Sequence, residues 1–224
     1  MVAVGRVIFF ERARDLLRSP LNYTTPIEAT QAEDCPPPMQ THWSDERLLI
    51  RPYRRSDAEA LFEAVRESIA EVGPWLPWCH PNYSRADSDA WIAARREGWS
   101  HTEYAFGIFD ARSTELLGGC GLNHFNRAHQ FANLGYWVRT SCTGRGIASA
   151  AVRLLTHFGF EELKLTRIEI VVAEGNKPSL RVAEKIGATH EGVLRNRLVF
   201  GDRTHDAVMF SLIPGDLDVL KRKT

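Results

Sequence analysis

The sequence predicts a mixed α/β domain in which strands and helices share one central sheet. Three observations predict it. From Arg47 onward, apolar residues recur at helical spacing in some segments and alternate at strand spacing in others. In the middle of the chain a strand, a glycine turn, a helix and a second strand follow without interruption, as "FANLGYWVR", "TSCTGRGIAS", "AAVRLLTHFGF" and "RIEIVVA". A hydrophobic share of 44% over 224 residues is that of a globular chain with a sizeable core.

Residues 1–40 read differently. "MVAVGRVIFFERARDLLRS" has an apolar patch that Glu11, Arg12 and Arg14 cut short of a membrane-spanning length, and no small-residue cleavage site follows. "SPLNYTTPIEATQAEDCPPPMQ" is rich in Pro, Thr and acidic residues without apolar periodicity. The expectation is an extension or linker over 1–40, a domain over 41–216, a tail over 217–224 and a cytoplasmic protein.

Within the domain, "RLLIRPY" predicts a first strand. In "RSDAEALFEAVRESIAEVG", Ser56 and Glu59 stand at capping-box spacing and Leu61, Phe62, Val65 and Ile69 share a helical face. A second helix is expected over 86–99, and "YAFGIFD" and "LLGGCGLNHF" as strands flanking the turn "DARSTE". The helix from Ile147 places Ile147, Ala151, Leu154, Leu155 and Phe158 on one side, and in "RIEIVVA" Ile168, Ile170 and Val172 alternate with Glu169 and Val171. "NKPSLRVAEKIGA" predicts a short helix with Asn176 as N-cap, Pro178 in the first turn and Gly187 as the C-terminal stop. "HEGVLRNRLVFGDRTHDAVMFSLI" closes the domain as two strands around Gly201 and Asp202.

Charge and cysteine content narrow the function. Lys plus Arg and Asp plus Glu both number 28, so no global basic field draws the protein to nucleic acid. Cys35, Cys79, Cys120 and Cys142 form neither a CxxC pair nor a zinc-like spacing, which predicts reduced thiols and no metal.

The glycine turn carries two readings. Gly144 and Gly146 make a tight turn with Arg145 in solvent, or they let the backbone approach a pyrophosphate resting on the helix N-terminus. A P-loop and a dinucleotide fingerprint are both excluded, because neither GxxxxGK[ST] nor GxGxxG with a following acidic residue is present. By spacing alone Asn176 and Ser179 are capping residues. Glu169 belongs to a polar side of the sheet or to a salt link, and His124, Asn123 and Glu191 are further polar candidates. Adjacent His205 and Asp206 point to opposite faces of a strand and make no dyad, and Asp206 is expected to pair with Arg195 or Arg197. Trp75, Leu76, Trp78 and Trp91 supply surface for interhelical packing or for an acceptor cleft.

These motifs also carry a family resemblance. "GYWVRTSCTGRGIASAAVRLL" resembles the acyl-CoA-binding motif of the GNAT acetyltransferases (Gln or Arg, two residues, Gly, one residue, then Gly or Ala), with Thr143 in the first position as a departure. "WLPW", "RIEIVVAEGNKPSLRVAEKIGATHEGVLRN" and "HDAVMFSLI" resemble the RimJ/RimL branch, whose members acetylate N-termini of ribosomal proteins. The resemblance implies a GNAT fold, a mostly antiparallel sheet flanked by helices, and acetyl-CoA as co-substrate without a metal. It implies contacts to that co-substrate from the backbones of Trp137 and Val138, from Thr143, Gly144, Arg145, Gly146, Ile147, Ala148 and Ser149, and from Asn176. It also implies Ser179 as donor to the leaving thiolate, and no tyrosine stands further along that helix, where many relatives carry their acid. An amine must lose a proton to attack, and Glu169 ranks first as its base. The implied acceptor is a protein N-terminal α-amine. A small amine (polyamine, amino acid or antibiotic) and a non-catalytic acyl-CoA-binding module are the alternatives. No direct nucleic-acid or membrane partner is expected, and a homodimer is left open.

Overall fold

The computed structural model describes residues 42–97 and 103–217, so the expected extension over 1–40 and the tail beyond Leu217 lie outside the described residues. The described strands are β1 (Trp43–Ser44), β2 (Leu48–Pro52), β3 (Tyr104–Asp110), β4 (Leu116–Asn126), β5 (Phe131–Val138), β6 (Arg167–Ala173), β7 (Thr189–Phe200) and β8 (Arg203–Leu212). The helices are α1 (Ala58–Val72), α2 (Arg85–Glu97), α3 (Ile147–Glu161) and α4 (Lys177–Lys185). All eight strands form one sheet in the order β1-β2-β3-β4-β5-β6-β8-β7. β5 and β6 run parallel across the α3 connection, and every other neighbouring pair is antiparallel. This is the mixed, mostly antiparallel sheet the sequence predicts.

The middle of the sheet is covered on both faces. α3 and α4 cover one, where Phe106, Leu122, Leu134, Phe158, Ile168 and Ile170 form a core from which water is excluded. α1 and α2 cover the other, with Leu61, Val65, Trp137, Val171 and Ala173 inside. β6 divides between them: Ile168, Ile170 and Val172 face α3, whereas Val171 and Ala173 face the α1 side.

Three local expectations are corrected. The α1 entrance does not use Ser56 and Glu59. A 3-10 turn over Arg55–Asp57 precedes the helix, and Asp57 accepts from the Arg54 amide at 2.7 Å and from both guanidinium nitrogens of Arg51 at 2.7 and 3.0 Å. Asp57 wins because it satisfies an amide and a cation together, which leaves Glu59 to bind Arg85. Asp206 accepts from the backbone amide of Asn196 at 2.8 Å rather than from Arg195 or Arg197, because the β7 register shifts between Leu194 and Leu198 and turns that amide toward it. β1 was not expected, since two residues give no periodicity to read.

Asn176 and Gly187 act as expected at the two ends of α4. Asn176 Oδ1 accepts from the Ser179 amide at 3.2 Å, and Gly187 has φ +81°. Cys79, Cys120 and Cys142 are buried free thiols. Among the described residues no helix is long and apolar enough to cross a membrane.

Candidate active site

The parallel pair β5–β6 opens a gap in the sheet. Its ladder holds three residue pairs only, Phe131–Arg167, Ala132–Ile168 and Asn133–Glu169. β5 then continues to Val138, paired on its other side with β4, and β6 continues to Ala173, paired with β8. The facing edges of 134–138 and 170–173 therefore carry no mutual ladder, and an extended ligand arm with amide groups can bond there as an added strand would. Trp137 and Val138 stand at the open end.

The glycine turn lies just beyond that end. A 3-10 turn over Thr140–Cys142 leads to Gly144 and Gly146, both at φ +78°, a left-handed conformation that favours glycine. A Cβ built on either would meet no protein atom within 4 Å, so the space above the turn is open. The first helical bond of α3 runs from the Ala150 amide to Gly146, so helix geometry leaves the amides of Ile147, Ala148 and Ser149 without intrahelical acceptors. A run of outward amides at the positive end of a helix dipole is an anion site by construction. Thr143 does not reach toward it: its hydroxyl donates to the Thr140 carbonyl at 2.9 Å and tightens the turn. Arg145 likewise turns back, donating to the Ser141 carbonyl at 3.0 Å.

Sequence reasoning missed what braces this turn. Glu67 of α1 accepts from Arg139 Nε at 2.5 Å and from the Ser141 amide at 2.6 Å, while Ser68, fully buried, accepts from the Thr140 amide at 3.1 Å. Burial works to raise the Glu67 pKa, but the bonds from Ser141 and Arg139 outweigh it and hold the carboxyl below its ordinary value. Glu67 and Ser68 stand 72 to 74 residues before their partners, and no local signal joins them.

A second omission concerns Tyr136, whose side chain reads from the sequence as sheet packing alone. Its hydroxyl lies 2.8 Å from Ser179 Oγ and donates to the Ser179 carbonyl at 3.3 Å. The link therefore runs from β5, on one side of the gap, to α4, which follows the strand on the other. Ser179 is 0% and Tyr136 3% exposed. Burial pushes the Tyr136 phenol far above its ordinary pKa, against a smaller lowering by the Ser179 bond, so it stays protonated.

At the closed end of the gap, polar residues form a row. Asn133 Nδ2 donates to Asn123 Oδ1 at 3.0 Å, and Asn133 Oδ1 is buried without a partner among the described residues. Glu169 lies across the ladder from Asn133 on the same face, and Ser211 follows on β8. Glu169 accepts from Arg167 Nε at 2.9 Å, the salt link that was one of its two readings. Arg167 also grips Glu191 with both terminal nitrogens at 2.6 Å, and Ser211 donates to Glu191 at 2.6 Å. The Arg167 bonds, then the Ser211 bond, push the Glu191 carboxyl down to about 2, which makes it a poor base. His124, exposed on the next residue of β4, stands outside the row.

On the α1–α2 face this row borders a cavity of about 80 Å³. Its floor is made of small residues: Ala105, Gly119, Gly121 and Gly135. A Cβ on Gly119 would stand 2.6 Å from the Trp137 indole nitrogen and 2.7 Å from the Tyr53 hydroxyl, so glycine is required there. Trp78 and Trp91 form part of the wall, Trp78 edge-on to Trp137 at 5.7 Å and Trp91 to Tyr53 at 4.9 Å between centroids. Leu76 lines the cavity too, while Trp75 packs against Phe200 at 6.4 Å.

Known proteins resemble this chain over about three quarters of its length. Residues 47–189 match the family described as acetyltransferase (GNAT) domain. The chain is 35% identical to the uncharacterized N-acetyltransferase p20 of Bacillus licheniformis over 171 residues, 75% of this chain and 93% of p20. It is 24% identical to the ribosomal-protein-serine acetyltransferase of Escherichia coli (strain K12) over 169 residues, 75% of this chain and 93% of that protein. The solved structure of Mycobacterium smegmatis RimJ in complex with CoA-disulfide superposes with a TM-score of 0.70 at 26% identity, covering 76% of this chain and 83% of RimJ.

Proposed function

The chain belongs to the GNAT acetyltransferases as a RimJ/RimL-like N-acetyltransferase, and on that premise we propose that it carries acetyl from acetyl-CoA to the N-terminal α-amine of a protein. One observation carries the reading: a three-pair parallel ladder opens beside a double-glycine turn whose surroundings are clear of protein. The residues present fit the co-substrate. The amides of Ile147, Ala148 and Ser149 would hold the pyrophosphate, Gly144 and Gly146 give it room, and Thr143 and Arg145 shape the turn from behind. The backbones of Trp137 and Val138 would pair with the pantetheine arm, with Asn176 at its far side. When bound, acetyl-CoA supplies an activated acetyl thioester, and no covalent enzyme intermediate is needed.

The remaining work falls to this chain's side chains. Glu169 takes the proton of the acceptor ammonium, since among the carboxylates of the row it has one guanidinium contact where Glu191 has two and a hydroxyl. Ser179 donates a hydrogen bond from its hydroxyl to the departing sulfur, and the Tyr136 hydroxyl, 2.8 Å from Ser179 Oγ and kept protonated by burial, holds that hydroxyl in place. Because Ser179 is buried, it serves only a sulfur lying within the gap. The acceptor enters from the aromatic cavity, which touches the row at Asn123. The names of the Escherichia coli relative and of RimJ support a ribosomal-protein acceptor.

Incubation with acetyl-CoA and mixed peptide and metabolite extracts, read by mass spectrometry, tests the proposal. Peptides acetylated at the α-amine are the expected product. Acetylated small amines alone would overturn the protein acceptor, and the absence of acceptor-dependent thiol release would overturn the transfer itself.

A further inference from the structure

An arginine-lined groove adjoins the aromatic cavity at Tyr53, and nothing in the acetyl-transfer chemistry uses it. It measures about 410 Å³ and is lined by Arg51, Arg54 and Arg96 together with Tyr53. A hollow of about 220 Å³ lies between it and the cavity, sharing Tyr53 and Arg96 with the groove and Tyr53 and Ala105 with the cavity. The polar row at Asn123, the glycine floor, Tyr53 and the arginines thus follow one another across adjoining pockets.

Among the described residues the charge of this groove is not balanced from within. Arg51 is paired with Asp57, and Arg95 with Glu103. Arg54 and Arg96 are exposed, and among the described residues no ion pair joins either of them. The whole chain carries 28 basic and 28 acidic residues, so this is a local excess rather than part of a general basic field. Guanidinium groups in a hollow bind carboxylates through paired, directional hydrogen bonds.

We propose that this groove docks an acidic segment of the acceptor polypeptide, the Asp- and Glu-rich residues that follow the amine being acetylated. The inference rests on the reading that the acceptor is a protein N-terminus. A polypeptide with its first residue in the aromatic cavity continues outward past Tyr53, and carboxylates on its next few residues meet Arg96 and Arg54. The confluence of groove and cavity favours this occupant over nucleic acid, which has no reason to share a path with the acceptor amine.

The full-length enzyme at saturating acetyl-CoA is assayed with peptides that share their first two residues and carry Asp and Glu, Asn and Gln, or Lys at positions three to six. The expected result is a KM about tenfold lower for the acidic series than for the neutral one, shrinking as salt is raised. In the Arg54→Glu/Arg96→Glu variant the preference turns toward the Lys series, while acetyl-CoA affinity, which reports the fold and the other ligand, stays at its wild-type value. Equal KM values across the series overturn the proposal. So does an oligonucleotide whose binding is lost on the same charge reversal while the peptides show no discrimination, which assigns the groove to nucleic acid. If no peptide is acetylated but a small amine is, the acceptor reading has failed and the docking proposal falls with it.

Discussion

The two faces of the sheet are built by different means. On the α3–α4 side the features that matter are backbone: two left-handed glycines, a run of helix-entrance amides and a strand edge left open. On the α1–α2 side they are side chains converging from separated segments, with Trp78, Trp91 and Trp137 standing over a floor of glycines. On the proposed function, the backbone site would recognise what every acetyl-CoA presents, and the side-chain site would set which acceptor fits. The difference would then separate a constant half of the reaction from a variable half.

That separation can be broken by experiment. Gly146→Trp should lower acetyl-CoA affinity roughly a hundredfold, because the indole fills the open space above the turn that the pyrophosphate would occupy. Calorimetric titration of a variant with wild-type circular dichroism checks it, and unchanged affinity would remove the pyrophosphate from this turn. Tyr136→Phe leaves the buried Ser179 hydroxyl without its phenol partner and should cost about 1–3 kcal/mol of stability, read as a lowered Tm. Crossing it with Ser179→Ala isolates the coupling between the two, and additive losses would mean that the hydroxyls do not act as a pair. Trp78→Ala should raise the acceptor KM about threefold to tenfold, the worth of one aromatic contact, and leave acetyl-CoA affinity as it was. A matching loss of acetyl-CoA affinity would show that the faces are not independent.

The smallest effect is a pH dependence. Glu191 is held ionised in the fold down to about 2, against an ordinary value of 4.5. A depressed carboxylate contributes stability that is fully present above the unfolded value and is lost as pH falls toward the folded one. The stability of the wild type should therefore decline between about pH 4.5 and pH 2, and Glu191→Gln should flatten part of that decline. The pair is partly exposed, so the change is modest. Denaturant midpoints across this window measure it.

What could be read from the sequence was local. The turn at Gly144 and Gly146, the Asn176 cap and the final hairpin each depend on a few consecutive residues, and their backbone requirements are written in residue type. The α1 entrance misled because Ser56 and Asp57 are neighbouring cap formers, and Arg51, six residues upstream, decides between them. Tyr136 and Ser179 lie 43 residues apart, Glu67 and Ser141 74, and nothing in either segment names its partner. The cavity was hardest to foresee, because it is defined by absent atoms: "GGCG" in β4 reads as a weak strand until Trp137 and Tyr53 are seen occupying the space above Gly119.

The three-pair ladder between β5 and β6 has a mechanical consequence. β1 to β5 and β6 to β8 are each knit by antiparallel ladders, whereas the seam between them is short. Protein segments open in cooperative units, and the boundary between units falls where backbone bonds are fewest. On the proposed function a ligand lying in this seam would bond to both leaves and so fuse two such units into one. Amides on β5 and on β6 should then slow their hydrogen exchange together, including those the ligand never touches.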